Sequence, residues 1–369
     1  MAALTLEGGC HCGSIRYTID PKVTDGDERW KGNYCYCDDC RLTLGFFFGL
    51  FISPDTNRVR FEDKNGTLVH YQSSAKAKRT HCGTCGASIT WQHDEYLEGI
   101  DIHAGTIELP AALKGSGKGL LSLFDPVKHL WLQDQHLGGL GVLFRDDGLL
   151  KRLNITNGPS WEPKPETLQC PAEESILDDE TLDGGCHCGG IRFTISRPPA
   201  DYAKDPVLAK WIKKGRKMAA MHCWCDMCRL VSGAAFWTWA FVPTKLLTFT
   251  SNSTERIYKS SPDRPINRRF CSTCGCSYSF AFQPDGGDDM WDMAAATFDF
   301  KDSKPERWLA FGPTPRGGDP ADEPLGKWIN GWASPDASGR GFCFGESGDA
   351  YNPEMIDIIR KGRMGCARF

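Results

Sequence analysis

Apolar and polar residues alternate in short bursts along this chain, and the clearest bursts come in pairs. Ile15-Arg16-Tyr17-Thr18-Ile19 and Ile191-Arg192-Phe193-Thr194-Ile195 each place an apolar side chain at every second position. That period predicts a strand with one buried face. The aromatic and branched runs from Phe46 to Ile52 and from Ala235 to Val242 predict two more strands, whose rings mostly fill a core. Helical periods are short. Asp205-Pro206-Val207-Leu208-Ala209-Lys210-Trp211-Ile212 predicts one brief helix opened by its proline, and the basic run from Lys210 to Lys217 reads as a solvated helix face that could at best dock an anion. Short strands punctuated by Gly and Pro therefore predict a mainly β protein.

The paired strands belong to a longer repeat. Gly8-Gly9-Cys10-His11-Cys12-Gly13 precedes the first strand and Gly184-Gly185-Cys186-His187-Cys188-Gly189 the second, so that ten of twelve positions agree from Gly8 to Ile19 and from Gly184 to Ile195. A middle motif follows in each copy, Cys35-Tyr36-Cys37-Asp38-Asp39-Cys40-Arg41 and Cys223-Trp224-Cys225-Asp226-Met227-Cys228-Arg229. A third closes each, Cys82-Gly83-Thr84-Cys85-Gly86 and Cys271-Ser272-Thr273-Cys274-Gly275. The repeat predicts a domain over residues 1–157, a Pro-rich and acidic linker over 158–181, a second domain over 182–334 and a tail over 335–369.

Fourteen of the eighteen cysteines fall into this scheme. The chain opens with no basic segment followed by an apolar run, and no uncharged apolar stretch is long enough to span a bilayer. These observations predict a reducing, cytoplasmic setting, where metal binding explains clustered cysteines better than a disulfide scaffold does. A net charge of -4, from 43 basic and 47 acidic residues, gives no long-range attraction to nucleic acid or anionic membrane, which leaves small molecules or proteins as partners.

Seven thiolates per copy divide naturally between two ions. Pairs on separate tight turns can pinch one ion from both sides, which predicts closed zinc sites from Cys10, Cys12, Cys82 and Cys85, and from Cys186, Cys188, Cys271 and Cys274. A closed structural zinc contributes on the order of 10 kcal/mol to folding. Cys35, Cys37 and Cys40, and likewise Cys223, Cys225 and Cys228, supply three sulfurs each, which leaves a bound zinc an open position for water or a thiol. The alternative is a fourth ligand from His81, Asp38, Asp39 or Asp226. His11 and His187 are expected to orient their turns. Arg41 and Arg229 suit either a substrate carboxylate or a nearby backbone carbonyl, and Trp224, Trp237 and Trp239 are candidates to line a pocket. Cys170, Cys276, Cys343 and Cys366 share no spacing and read as free thiols.

Motifs of this order and spacing resemble the glutathione-dependent formaldehyde-activating enzyme family, which includes centromere protein V. The likeness covers about residues 6–145 and 182–312. It implies two tandem zinc-binding β-sandwich-like domains with few short helices, and up to four Zn²⁺ per chain, with glutathione as a further ligand. It also implies that Cys35, Cys37, Cys40, Cys223, Cys225 and Cys228 are catalytic-type ligands, beside which the residues themselves suggest Arg41, Arg229, Trp224 and Trp237 as candidates to meet the substrate. The implied activity is that of a carbon–sulfur lyase acting on a thiol adduct of a carbonyl, the alternative being a non-catalytic zinc scaffold that binds proteins. Arg229-Leu230-Val231-Ser232-Gly233 keeps the family form after the middle motif, whereas Arg41-Leu42-Thr43-Leu44-Gly45 has lost the serine and is followed by three phenylalanines. The second copy is therefore expected to be the more active one.

Overall fold

A computed structural model describes residues 4–21, 30–108, 110–111, 123–131, 154–156, 180–213, 215–223, 226–234, 237–261, 266–281, 289–300 and 308–311. The protein is mainly β, in two domain-like halves of matching design. In the first half β1 (Leu6–Gly9), β2 (Ile15–Ile19) and β5 (Val59–Asp63) form a three-stranded sheet. An eight-stranded sheet packs with it. Its strands are β3 (Trp30–Cys35), β4 (Gly49–Ile52), β6 (Leu68–Ser74), β7 (Ala77–Cys82), β8 (Ser88–His93), β9 (Asp101–His103), β10 (Phe124–Leu130) and β11 (Asn154–Thr156). They lie in the order β11-β10-β3-β4-β9-β8-β7-β6. Helix α1 (Asp38–Leu44) joins β3 to β4.

The second half repeats this plan. Strands β12 (Thr181–Gly185), β13 (Ile191–Ser196) and β17 (Leu247–Asn252) make the small sheet. The large sheet takes the order β14-β15-β16-β21-β20-β19-β18, with β22 beside β15. Its strands are β14 (Ile212–Lys213), β15 (Lys217–Cys223), β16 (Trp237–Pro243), β18 (Glu255–Lys259), β19 (Asn267–Cys271), β20 (Ser277–Ala281), β21 (Met290–Ala294) and β22 (Leu309–Phe311). Helices α2 (Pro206–Trp211) and α3 (Asp226–Ser232) complete it.

The alternation read from β2 and β13 is present in space: Ile15, Tyr17 and Ile19 are buried while Arg16 and Thr18 are half-buried, and β13 repeats the pattern. Helix α2 forms where Asp205 accepts from the Val207 and Leu208 amides, at 2.9 and 3.1 Å, with Pro206 in the first turn. Two local expectations change. Phe46 to Phe48 are not part of β4, because Gly45 ends α1 in the left-handed region at φ 77° and turns the chain before the strand starts at Gly49. The basic run is no helix face. Only Lys210 and Trp211 belong to α2, and the run then passes through β14 and a turn at Gly215 and Arg216 into β15. The expected linker lies outside the described residues as far as 179, as does the tail over 335–369.

One buried apolar cluster runs through both halves, from Leu6 and Ile15 to Trp308 and Leu309. The halves also exchange polar contacts in near-symmetric pairs. Arg41 at the end of α1 donates to the carbonyls of Ala296 and Phe298, and Arg229 in α3 donates to those of Gly105 and Ile107. His11 bonds Tyr258 at 2.7 Å, and His187 bonds Tyr71 at 2.6 Å. Close approach accompanies these bonds: a Cβ on Gly45 would lie 2.1 Å from the Ser277 oxygen, and one on Gly233 2.3 Å from that of Ser88.

Candidate active site

Each group of four cysteines is built from two tight turns. In the first, Cys10 N–H donates to Ile15 O and Gly13 N–H to Cys10 O, both at 3.0 Å, while Ile15 N–H donates to Cys10 Sγ at 3.3 Å. In the hairpin from β7 to β8, Cys82 N–H donates to Ala87 O and Gly86 N–H returns to Cys82 O. Gly86 sits at φ 80°, so the turn suits glycine. Cys186, Cys188, Cys271 and Cys274 repeat the construction. Each group's sulfurs lie within 4.8 Å of one another. Neighbouring sulfurs are 3.4 Å apart for Cys10 and Cys12, 3.6 Å for Cys12 and Cys82, 3.6 Å for Cys186 and Cys188, and 3.4 Å for Cys188 and Cys271. A tetrahedron of metal–sulfur bonds near 2.3 Å has edges of about 3.8 Å, while a disulfide needs about 2 Å. The spacing fits a shared cation, and all eight cysteines are free.

The first three-cysteine group stands at the junction of β3 and α1. Cys37 is the N-cap of α1, where its sulfur accepts from the Cys40 amide at 3.4 Å, and this turn brings Cys40 back toward Cys35. The three sulfurs lie within 4.8 Å, with Cys35 and Cys37 3.5 Å apart. Cys35 and Cys40 are buried and Cys37 is half-buried. Among the described residues no histidine or carboxylate joins them. Three of the fourth ligands considered from the sequence are engaged elsewhere: His81 is within 3.3 Å of Ser272 O, Asp38 pairs with Arg41, and Asp39 pairs with His187 at 3.1 Å, while the Asp226 side chain lies outside the described residues. Burial holds His81 down to about 4.

Arg79, which the motif reading did not single out, reaches this group from β7. Its Nη2 donates to Cys40 Sγ at 3.3 Å and its Nε to Ser73 at 3.0 Å, and the residue is 5% exposed. Hydrogen bonds from Cys35 and Cys37, followed by the charge and hydrogen bond of Arg79, hold the Cys40 thiol well below its ordinary value. Asp101 and His103 on β9 complete the surroundings. Burial raises Asp101 to about 6, and burial followed by the Arg79 charge lowers His103 to about 3. The internal repeat carried the missing signal. Arg79-x-x-Cys82 matches Arg268-x-x-Cys271, and Asp101-x-x-Ala104-x-Thr106 matches Asp292-x-x-Ala295-x-Thr297.

In the second three-cysteine group, Cys225 and Trp224 lie outside the described residues, and of Cys223 only the backbone, at the end of β15, is described. Cys228 is buried on α3, and Arg268 Nη2 lies 3.5 Å from its sulfur, as Arg79 does beside Cys40. Arg41 and Arg229 direct their guanidinium groups to backbone carbonyls of the opposite half, the second of the two roles expected for them. Trp237 is 1% exposed and packs against Trp239 and Phe46, so its ring is part of the core. Cys276 is buried, and its carbonyl accepts the Cys271 amide; Cys170, Cys343 and Cys366 lie outside the described residues.

A sequence profile of the family described as glutathione-dependent formaldehyde-activating enzyme matches residues 5–133 and 210–309, one segment in each half. A Halomonas elongata protein, provisionally named a glutathione-dependent formaldehyde-activating enzyme, is 27% identical over 96 residues, which cover 25% of this chain. The match spans 57% of that relative's length. A crystal structure of a Rhodobacter sphaeroides protein aligns with 30% of this chain and 94% of its own, at 21% identity and a TM-score of 0.24.

Proposed function

The chain belongs to the glutathione-dependent formaldehyde-activating enzyme family, and from that premise we propose that it is a zinc-dependent carbon–sulfur lyase acting on a glutathione or other thiol adduct of a small carbonyl compound. The observation that carries this reading is the convergence of Cys35, Cys37 and Cys40 with no fourth ligand among the described residues. Zinc bound to three thiolates supplies an ion that keeps an incoming thiol deprotonated at neutral pH. The groups of Cys10, Cys12, Cys82 and Cys85, and of Cys186, Cys188, Cys271 and Cys274, hold the structural ions and tie the β1–β2 and β12–β13 turns of the small sheets to the β7–β8 and β19–β20 turns of the large ones.

Cys35 presents its sulfur from the end of β3 and Cys40 from the first turn of α1. In the forward direction the substrate sulfur adds its electron pair to the carbonyl carbon, the C=O π pair moves to oxygen, and that oxygen takes a proton. The reverse reaction breaks the same carbon–sulfur bond. Cys223, Cys225 and Cys228 form the corresponding site of the second half. Thirteen cysteines of the described residues are free, which supports a reducing setting, and no helix of the described residues is long and apolar enough to cross a membrane.

The test is metal counting with turnover on the whole chain. Wild type is expected to hold four zinc ions. Cys40→Ser and Cys228→Ser are each expected to lose one ion and most of their half's turnover while the fold survives. Full turnover in the double variant would overturn the reading, and two inert ions with no thiol affinity would favour a protein-binding scaffold.

A further inference from the structure

Arg79 is a charged residue with almost no access to water, at 5% exposed, and it meets the first three-cysteine group from β7. Its Nε donates to Ser73 at 3.0 Å, and Ser73 donates in turn to Ala77 O at 3.3 Å, so the guanidinium is anchored to the β6–β7 hairpin. Its Nη2 donates to Cys40 Sγ at 3.3 Å. Nη1 is buried and makes no hydrogen bond, so none of the three nitrogens bonds a carboxylate. Burying a guanidinium is costly unless an anion answers it, and the anion here is the sulfur group.

The surroundings are apolar. Cys35, Cys40 and Phe51 form a buried cluster apart from the main core, with Cys37, Trp91 and Leu130 packed against it, and Trp91 stands opposite Arg79 in the β7–β8 register. A fixed charge acts strongly there, because little water screens it. The acids nearby are engaged: Asp38 pairs with Arg41, Asp39 pairs with His187, and Asp101, two strands along the sheet from Arg79, accepts from Ser53. Three thiolates outnumber the charge of one divalent ion, so the group with its ion is itself negative. A further thiolate arriving at the open position meets that charge unless a cation offsets it. The second half repeats the contact: Arg268 Nη2 donates to Cys228 Sγ at 3.5 Å, and its guanidinium lies 5.0 Å from the ring of Phe280, which stands opposite it as Trp91 stands opposite Arg79. Both halves thus set a guanidinium on the last cysteine of the triplet.

We propose that Arg79 makes the open position of the first three-cysteine group selective for anionic guests: its fixed charge offsets the excess negative charge of the sulfurs, so that a thiolate or another small anion is taken in preference to a neutral donor. This rests on the lyase reading for the open position and adds to it the residue that chooses the guest. The charge acts through Cys40 and across the apolar cluster, and needs no contact with the guest. A guanidinium that merely braced Cys40 against Ser73 would, on removal, weaken every guest alike, whereas a charge that selects would, on removal, weaken anions and spare neutral donors.

The experiment uses the full chain loaded with Co²⁺ in place of zinc, in a Cys228→Ser background so that only the first half offers a complete three-cysteine group. Visible absorption is followed while thiocyanate, an anion, or imidazole, a neutral donor, is added. Arg79→Gln is expected to weaken thiocyanate binding about tenfold and to leave imidazole binding unchanged. Arg79→Lys, which keeps the charge, is expected to stay within about threefold of the background for both ligands. An equal loss for both ligands in Arg79→Gln, no loss there, or a tenfold thiocyanate loss in Arg79→Lys as well, overturns the selecting role and leaves the lyase reading standing. If Arg79→Gln does not hold its cobalt, Arg79→Lys decides: cobalt retained with thiocyanate still bound supports the inference, and anything less overturns it. Binding of neither ligand to the background removes the open position and both readings with it. Anion selectivity without turnover on thiol adducts supports the inference and removes the lyase reading.

Discussion

Gly45 and Gly66 share a left-handed backbone, at φ 77° and 60°, yet their surroundings are opposite. A Cβ on Gly66 meets nothing within 4 Å, while one on Gly45 would lie 2.1 Å from the Ser277 carbonyl oxygen of the other half. Gly66→Ala should therefore cost about 1 kcal/mol, the backbone penalty alone, whereas Gly45→Ala adds a clash with main chain and should cost more than about 3 kcal/mol in denaturant unfolding. His103 gives a second residue-scale test. Its folded value of about 3 lies below the ordinary 6.5, so between these pH values the unfolded chain takes up a proton that the native state refuses. The stability contributed by a neutral His103 is complete above about pH 6.5 and is lost as pH falls toward 3, by about 1.4 kcal/mol per pH unit. His103→Ala should lose less stability than wild type between pH 7 and pH 5, measured by urea unfolding at each pH.

Helix α2 shows how a short element survives on local chemistry. Asp205 caps two amides and also pairs with Lys245, so Asp205→Ala should destabilise the protein by about 1 kcal/mol, read as a lower urea midpoint, with the cysteine groups undisturbed. That helix was legible because a proline and the helix formers after it act within a few residues. The strands β2 and β13 were legible for the same reason, since a period of two survives without knowledge of neighbours. The cysteine groups of four were legible as well, because the spacing of Cys10 and Cys12, and of Cys82 and Cys85, defines turns wherever they sit. Arg79, Asp101, His103 and Asn33 were not. They share one face of the large sheet only through the register of β7, β8, β9, β4 and β3, a long-range property that no single stretch of chain encodes. Likewise Trp237 resembled a pocket residue in one dimension and proved to be core, because Phe46 of the other half closes over it.

At the scale of the whole molecule the two halves share one core, since a single apolar cluster crosses between them and buried guanidinium groups stitch them together. Arg41→Ala and Arg229→Ala each leave two carbonyls of the opposite half without their donor, at an expected cost of about 3 kcal/mol apiece. Both halves should then still unfold in one transition, seen as coincident fluorescence and circular dichroism curves; separate transitions would contradict the shared core. The histidines between the paired cysteines extend this reciprocity to the candidate sites. His187, flanked by Cys186 and Cys188, bonds Tyr71 and the Asp39 carboxylate that sits between Cys37 and Cys40. His11 bonds Tyr258, but Met227 occupies the place of Asp39 in the second half, so the mirror-image bond is missing. Two copies of one ancestral unit have thus become mutually dependent in an uneven way. Excising either copy, shuffling it into another protein or letting it decay is therefore expected to harm the other, because damage at one copy's anchor is inherited by the workshop of its twin.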